Sequence, residues 1–168
     1  GVYWWEERGI PLRIGSPEGT LELHVGETDF EIVHTGDGRF LIPRLERVAR
    51  FEPTTGEATA MALWPPGDEI SIDMAAKIAP LDDTSNLLDY IGAYHSPELP
   101  VVYYIDMNED TLVLHWLKRD PVDLTEVARD MLMGSAGSLR FQRGSDGRIT
   151  GFVLDSGRVR NFRFERVR

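Results

Sequence analysis

Apolar and polar residues alternate with a period of two along most of the chain. Leu21, Leu23 and Val25 are interleaved with Glu22 and His24, and Leu112, Leu114 and Trp116 recur on every second residue further on. Short alternating runs, broken about every ten residues by turn formers, mark half-buried antiparallel strands. The turn formers are Gly36-Asp37-Gly38, Thr55-Gly56, Pro65-Pro66-Gly67, Asn108-Glu109-Asp110, Asp146-Gly147 and Ser156-Gly157; each supplies a residue that tolerates positive φ or fixes φ for a bend. The pattern predicts strands over residues 2–6, 11–14, 20–25, 29–34, 38–42, 47–52, 58–64 and 69–74. A second set is predicted over 91–96, 101–106, 111–116, 128–133, 138–143, 149–154 and 158–166, with a further short strand at 122–124. Ser85 is placed to cap one helical turn through Leu87, Leu88 and Tyr90.

The two sets are copies. Gly1-Val2-Tyr3 recurs as Gly92-Ala93-Tyr94, Ile14 as Ile105, and Thr20-Leu21-Glu22-Leu23-His24 as Thr111-Leu112-Val113-Leu114-His115, all at an offset of 91; Phe51 returns as Phe141 after a slip of one. A period of this length suits a small domain rather than a solenoid repeat. The expected fold is all-β: two tandem small antiparallel barrels of about eight strands, lipocalin-like, because closure removes the edges that short strands otherwise expose. The first repeat is assigned to residues 1–79, a linker to 80–86 and the second repeat to 87–168, with Tyr3 over Tyr94 and Leu23 over Leu114. Leu21, Leu23, Leu112, Leu114, Phe141, Phe152 and Leu154 are the expected core. The glycine ahead of Tyr3 and of Tyr94 lets the first strand bend while the ring plugs a barrel end.

Composition narrows the function classes. Cysteine is absent from the 168 residues, which removes disulfides, thiolate nucleophiles and zinc–thiolate sites. No apolar run approaches the roughly 20 residues of a membrane-spanning helix. The net charge of −10 argues against phosphate backbones or anionic lipid as partners, so neither nucleic acid nor membrane is expected. Charge is uneven: residues 1–83 carry 16 acids against 7 bases and residues 84–168 carry 12 against 11. Arg158, Arg160, Arg163, Arg166 and Arg168 crowd the last strand, which reads as a solvated decoration, with complementary docking onto a neighbouring domain as the alternative. The chain opens at Gly1, inside the first motif, which is expected of a fragment cut from a longer polypeptide.

Tyr90-Ile91-Gly92-Ala93-Tyr94-His95-Ser96-Pro97-Glu98-Leu99, the alternating strand to Trp116, Leu139-Arg140-Phe141-Gln142-Arg143 and Asp146-Gly147-Arg148-Ile149-Thr150-Gly151-Phe152-Val153-Leu154 together resemble a known module. It is similar to the lipocalin-like barrel that follows the catalytic domain of the penicillin-recognising serine hydrolases, the group of class C beta-lactamases and D-aminopeptidases. D-aminopeptidases of that group carry two such barrels in tandem. The resemblance implies a non-catalytic C-terminal region whose partner is the catalytic hydrolase domain of the same polypeptide, in a bacterial cytoplasm or periplasm, with no cofactor. In that family a loop of the last barrel reaches the active site. The corresponding candidate contact surface is the stretch with Lys118, Arg119, Asp120, Asp123, Glu126 and Arg129.

A catalytic cluster is hard to assemble from this sequence. The Ser-x-x-Lys signature of that group is missing, since neither Lys77 nor Lys118, the only lysines, follows a serine by three residues. His34-Thr35-Gly36 and Tyr94-His95-Ser96 imitate the group's other motifs but fall on strands or turns. His24, His34, His95 and His115 form no His-x-His or His-x-x-x-His pair, so no metal site is expected. Alternation turns His24 and His115 outward. Glu6-Glu7 and Asp82-Asp83 read as a strand end and linker. The aromatics Tyr3, Trp4, Trp5, Trp64, Tyr90, Tyr94, Tyr103, Tyr104 and Trp116 support a runner-up reading, a free-standing lipocalin-like protein with a ligand cavity. In Trp4-Trp5 and Tyr103-Tyr104 one ring is expected to point outward, as a contact surface for the twin barrel or a catalytic domain; a homodimer is a separate candidate partner.

Overall fold

The computed structural model describes residues 1–16, 20–26, 28–81, 86–116 and 118–167. The chain is all-β and divides into two compact units, Gly1–Pro80 and Leu81–Arg168. Among the described residues no helix is long and apolar enough to cross a membrane.

Unit 2 is a closed barrel of eight antiparallel strands. They are β10 (Gly92–His95), β11 (Val102–Asn108), β12 (Thr111–Trp116), β13 (Val122–Ala128), β14 (Met131–Gly134), β15 (Gly137–Arg143), β16 (Ile149–Ser156) and β17 (Val159–Arg166); the first pairs with the last at Tyr94↔Arg166 and His95↔Glu165. Every second residue of β12 and its neighbours faces the lumen, which buries Leu112, Leu114, Leu124, Leu132, Leu139, Phe152 and Phe164 in one cluster. Aromatic rings fill its centre. Phe152 stacks on Phe164 at 4.7 Å and Phe164 on Tyr103 at 4.5 Å, while Tyr94 meets Phe152 edge-on at 5.0 Å. Such pairs add about 0.5–1.5 kcal/mol each beyond their burial.

Unit 1 has nine strands: β1 (Val2–Trp5), β2 (Ile10–Gly15), β3 (Glu22–Val25), β4 (Thr28–Glu31), β5 (Val33–Gly36), β6 (Arg39–Ile42), β7 (Arg47–Glu52), β8 (Ala60–Trp64) and β9 (Asp73–Ile78). Their order, β4-β3-β2-β1-β9-β8-β7-β6-β5, makes a nearly closed barrel, because the two outermost strands are separated in the chain only by Ile32. Together they do what β13 does unbroken: β4 pairs with β3 and β5 with β6, as the two halves of β13 pair with β12 and β14.

The pairing register repeats from unit to unit. Tyr3↔Leu12 matches Tyr94↔Tyr103, Ile14↔Leu23 matches Ile105↔Leu114, and His34↔Phe40 matches Glu126↔Leu132. Phe51↔Met61 matches Phe141↔Phe152, and Tyr3↔Lys77 matches Tyr94↔Arg166. Each unit has a bulge at the equivalent place, between His34 and Gly36 and between Glu126 and Ala128. The one-residue slip at Phe51 is a net effect: the β6–β7 connection, with its 3-10 turn Pro43–Leu45, is two residues longer than Ser135-Ala136 between β14 and β15, and unit 2 has one residue more between Leu114 and Glu126 than unit 1 has between Leu23 and His34.

The structure corrects several sequence expectations. The expected strand at 69–74 lies instead at Asp73–Ile78, because the turn begun by Pro65-Pro66-Gly67 is prolonged by the Asp68 carboxylate, which accepts from the amides of Ile70 and Ser71 at 3.0 and 3.2 Å. The expected 29–34 strand is split at Ile32, and 122–124 is the start of a seven-residue strand. Leu21 is half-buried rather than core: it lies outside β3, so the Leu112↔Leu124 pair of unit 2 has no counterpart at Leu21 and Ile32. The cap of the turn at Leu87–Tyr90 is Asn86, whose Oδ1 accepts from the Leu88 amide at 3.2 Å; Ser85 lies outside the described residues. Trp4 and Trp5 are both buried, so that pair offers no exposed ring, whereas Tyr104 is exposed and Tyr103 buried.

Leu114 is fully buried in the unit 2 cluster. Leu114→Ala should cost that unit about 2–5 kcal/mol, as for other leucines cut back in packed cores. Urea denaturation followed by near-ultraviolet dichroism checks this. A loss under about 0.5 kcal/mol, the range of surface positions, would contradict the register.

Candidate functional site

The most elaborated polar feature is a cap over one end of the unit 2 barrel. The 3-10 turn Leu87–Tyr90 leads into β10 and sends the Tyr90 ring into the barrel end, fully buried against Phe141 at 4.7 Å. Its hydroxyl donates to Glu126 Oε1 at 2.6 Å and accepts from the Asp130 amide at 3.2 Å. The Tyr94 hydroxyl donates to the Tyr90 carbonyl at 2.7 Å.

Two arginines clamp the cap from outside. Arg143 donates through Nε to Asp130 at 2.9 Å and through Nη1 to Asp89 Oδ2 at 2.9 Å and to the Gly147 carbonyl at 2.8 Å. The hydrogen bonds to Asp130 hold its guanidinium well above the usual arginine range, and burial only partly opposes them. Arg166 donates to the carbonyls of Asp89 at 3.0 Å and Ile91 at 2.5 Å. Charge-assisted bonds of this kind are the stronger class, and here they tie the chain entering the barrel to β15 and to β17. Beside the cap lies an open groove of about 1060 Å³, bordered by Leu88, Asp89, Gln142, Arg148, Glu165 and Arg166.

Elsewhere in unit 2 the nearly buried Asp155 carboxylate accepts from Arg140 Nη2 at 3.1 Å and from the Asn161 amide at 3.0 Å. The equivalent pair in unit 1 is Arg50 and Trp64, and there the guanidinium lies over the indole at 5.8 Å. One backbone frame thus gives its arginine a carboxylate on the neighbouring strand in one copy and, in the other, an indole face together with Glu52 of its own strand, whose carboxylate accepts from Arg50 Nε at 2.7 Å.

Of the candidate contact residues of the sequence, all but Glu126 are exposed. Lys118, Arg119 and Asp120 lie exposed between β12 and β13. The Arg119 guanidinium sits 5.0 Å from the Trp116 ring, and Trp116 Nε1 donates to the Asp120 carbonyl at 3.2 Å. Asp123 is exposed on β13, and Arg129 is exposed in the turn that follows it. Glu126 is only half exposed and belongs to the Tyr90 cap. Sequence reasoning missed the cap as a unit: Tyr90 meets Glu126 and Asp130 across 36 and 40 residues. A recoverable signal was the acidic pair Glu126 and Asp130, which has no acid at the equivalent positions His34 and Gly38.

The histidines are dispersed among acids. His24 Nδ1 is 2.5 Å from Asp29, His115 Nε2 3.0 Å from Asp106 and His95 Nε2 3.6 Å from Glu165, while His34 packs its ring on Phe40 at 5.1 Å. Among the described residues no group of three or more His, Asp or Glu is arranged to hold a metal ion. Asp82 and Asp83 lie outside the described residues. The polar groups described above act as structural clamps.

Burial raises the Tyr94 phenol to about 12, with Arg166 opposing weakly. The folded barrel therefore keeps this proton where the unfolded chain, near pH 10, gives it up. The resulting stability is complete below pH 10 and is lost as pH rises towards about 12. Tyr94→Phe should flatten this alkaline decline in unit 2 while costing about 1 kcal/mol at pH 7 for the lost hydrogen bond. Thermal unfolding of both proteins between pH 8 and about 12 tests this, and superimposable alkaline limbs would overturn it.

Comparison with known proteins finds no matching family model and no matching curated protein.

Proposed function

We propose that this chain is a non-catalytic accessory region of a beta-lactamase-like serine hydrolase, D-aminopeptidase-like in its tandem barrels, which shapes substrate access or domain packing. The observation that carries the reading is the repeated register: two copies of one barrel frame, matched strand for strand, follow each other directly. The resemblance in residues 90–154 and the lack of Ser-x-x-Lys support the same conclusion. A barrel of this kind supplies walls and loops that reject poorly fitting substrates, while the activated nucleophile comes from another domain. The exposed members of the β12–β13 connection, Lys118, Arg119 and Asp120, with Asp123 and Arg129, are the proposed contact surface. Glu126 is better assigned to holding Tyr90.

The free-standing ligand-binding alternative has less support. The lumen of unit 2 is occupied by Tyr94, Tyr103, Phe141, Phe152 and Phe164, which fill the volume that a lipocalin ligand would need.

The purified chain should turn over neither D-amino-acid p-nitroanilides, esters nor beta-lactams, and turnover by the chain alone overturns the reading. The natural polypeptide should also carry a Ser-x-x-Lys domain, and deleting residues 84–168 from it should change the ratio of kcat/KM between large and small substrates. A polypeptide without that domain, or an unchanged ratio in a folded deletion variant, removes the accessory role.

A further inference from the structure

The tripeptide Asp-Gly-Arg occurs twice, as Asp37-Gly38-Arg39 at the β5–β6 turn and as Asp146-Gly147-Arg148 at the β15–β16 turn. Both aspartates and both glycines are exposed. An aspartate followed by glycine is the pair most able to cyclise, because no side chain on the second residue blocks the approach of its amide nitrogen to the aspartyl carboxyl, and the glycine backbone turns freely. The residues involved are the same at the two places, so a difference between them comes from the fold.

The fold treats them differently. Around Asp146, the Gly147 amide donates to the Gly144 carbonyl at 3.0 Å and the Gly144 amide to the Arg148 carbonyl at 2.9 Å. Asp146 Oδ1 accepts from the Arg148 amide at 3.0 Å, and Arg143 holds the Gly147 carbonyl at 2.8 Å. The attacking nitrogen and the carboxyl are thus both engaged, in a turn whose strands are each paired on two sides. Around Asp37, neither the Gly38 amide nor the Asp37 carboxylate has a hydrogen-bond partner among the described residues; Thr35 Oγ1 donates across the turn to the Arg39 carbonyl at 3.2 Å. Asp37 stands at φ +50° between Gly36 at +99° and Gly38 at +69°, a left-handed run that strains a residue with a side chain. β5 ends the strand order of its sheet and pairs only with β6, so this turn opens at lower cost than one inside a closed barrel.

We propose that Asp37-Gly38 is a site of covalent self-modification at which the chain forms isoaspartate, while Asp146-Gly147 is protected. As the turn opens, the Asp37–Gly38 peptide rotates until the Gly38 nitrogen faces the un-ionised Asp37 carboxyl. The nitrogen attacks Cγ; the N–Cγ bond forms, the Cγ–OH bond breaks, and the hydroxyl leaves with the amide proton as water. The succinimide ring then takes up water at the Asp37 main-chain carbonyl, whose bond to nitrogen breaks. Gly38 is left joined through Cγ, with a carboxyl group on Cα. The sum is an isomerisation: one water is lost and one regained, and nothing is oxidised or reduced. The new link adds a methylene to the main chain, which a two-residue turn with left-handed φ at both central positions does not accommodate. The product therefore loosens the β5–β6 hairpin. This inference is independent of any hydrolase activity.

The test is ageing of the full chain in mildly acidic buffer, both folded and in concentrated urea, followed by tryptic digestion. Isoaspartate is located by labelling with an isoaspartyl methyltransferase and by electron-transfer fragmentation of the peptides that end at Arg39 and Arg148. In the folded chain it should accumulate at Asp37 about ten times as fast as at Asp146, the factor that corresponds to the net strength of the two hydrogen bonds engaging the Asp146 carboxyl and the Gly147 amide. In urea the two rates should converge, because identical tripeptides then lack the fold that separates them. Equal rates in the folded chain, or a faster rate at Asp146, would overturn the proposal. So would a ratio that urea leaves unchanged, which places the difference in the flanking sequence, and so would isoaspartate that forms in urea but not at Asp37 of the folded chain.

Discussion

The pairing of the first strand of each unit with its last is the constraint on which the rest depends. An open sheet of such short strands would present unpaired amides and carbonyls at both sides and invite further pairing. Closure converts those groups into ladder bonds and encloses the apolar face of every strand. In unit 2 this seam is short, with two residue pairs between β10 and β17 and one further bond from the Val167 amide to the Ala93 carbonyl at 2.8 Å. Arg166 stands at the seam and bonds to the carbonyls of Asp89 and Ile91, so the residue that closes the barrel also pins the cap. In unit 1 the same junction has four pairs, from Val2↔Ile78 to Trp5↔Ala75, and the break in pairing is moved to Ile32.

Closure also demands close backbone approach. At Gly151 a Cβ would lie 2.2 Å from the Phe164 carbonyl oxygen, so β16 meets β17 there only because the residue has no side chain. Phe152 and Phe164, paired directly opposite one another, are thereby brought into the stack that fills the lumen. The filled lumen in turn makes unit 2 a rigid body whose usable chemistry is on its outside and at its ends.

The candidate site was partly legible in sequence. Tyr90, Tyr94 and the Asp-Gly turn beside Arg148 stood out as motif residues, and their part in fixing the fold follows from aromatic size and turn chemistry. The association of Tyr90 with Glu126, and of Asp89 with Arg143 across 54 residues, was not legible. Ion pairs between distant positions leave no periodic trace, and a surface acid reads the same as an acid holding a buried phenol. Arg140 illustrates the same limit: its equivalent Arg50 has the same side chain and strand position, yet the carboxylate is Asp155 on the neighbouring strand in one unit and Glu52 on the same strand in the other, where the guanidinium also lies over Trp64.

By itself the sequence determined that the chain is all-β, that it is built twice, and that Leu23, Leu114, Phe141 and Phe152 face inward. Those properties follow from alternation and self-similarity, which are local in the chain and fixed by the pleat of a strand. The tertiary structure alone decided where strands end and which side chains meet. Asp68 prolongs a turn and displaces the last strand of unit 1, Trp4 is buried despite facing opposite to Trp5, and Tyr90 closes one end of unit 2 on Glu126 and Asp130. Each of these depends on groups far apart in sequence or on a capping hydrogen bond stronger than the weak strand preference of a short segment, and such competitions are resolved only when the chain has closed on itself.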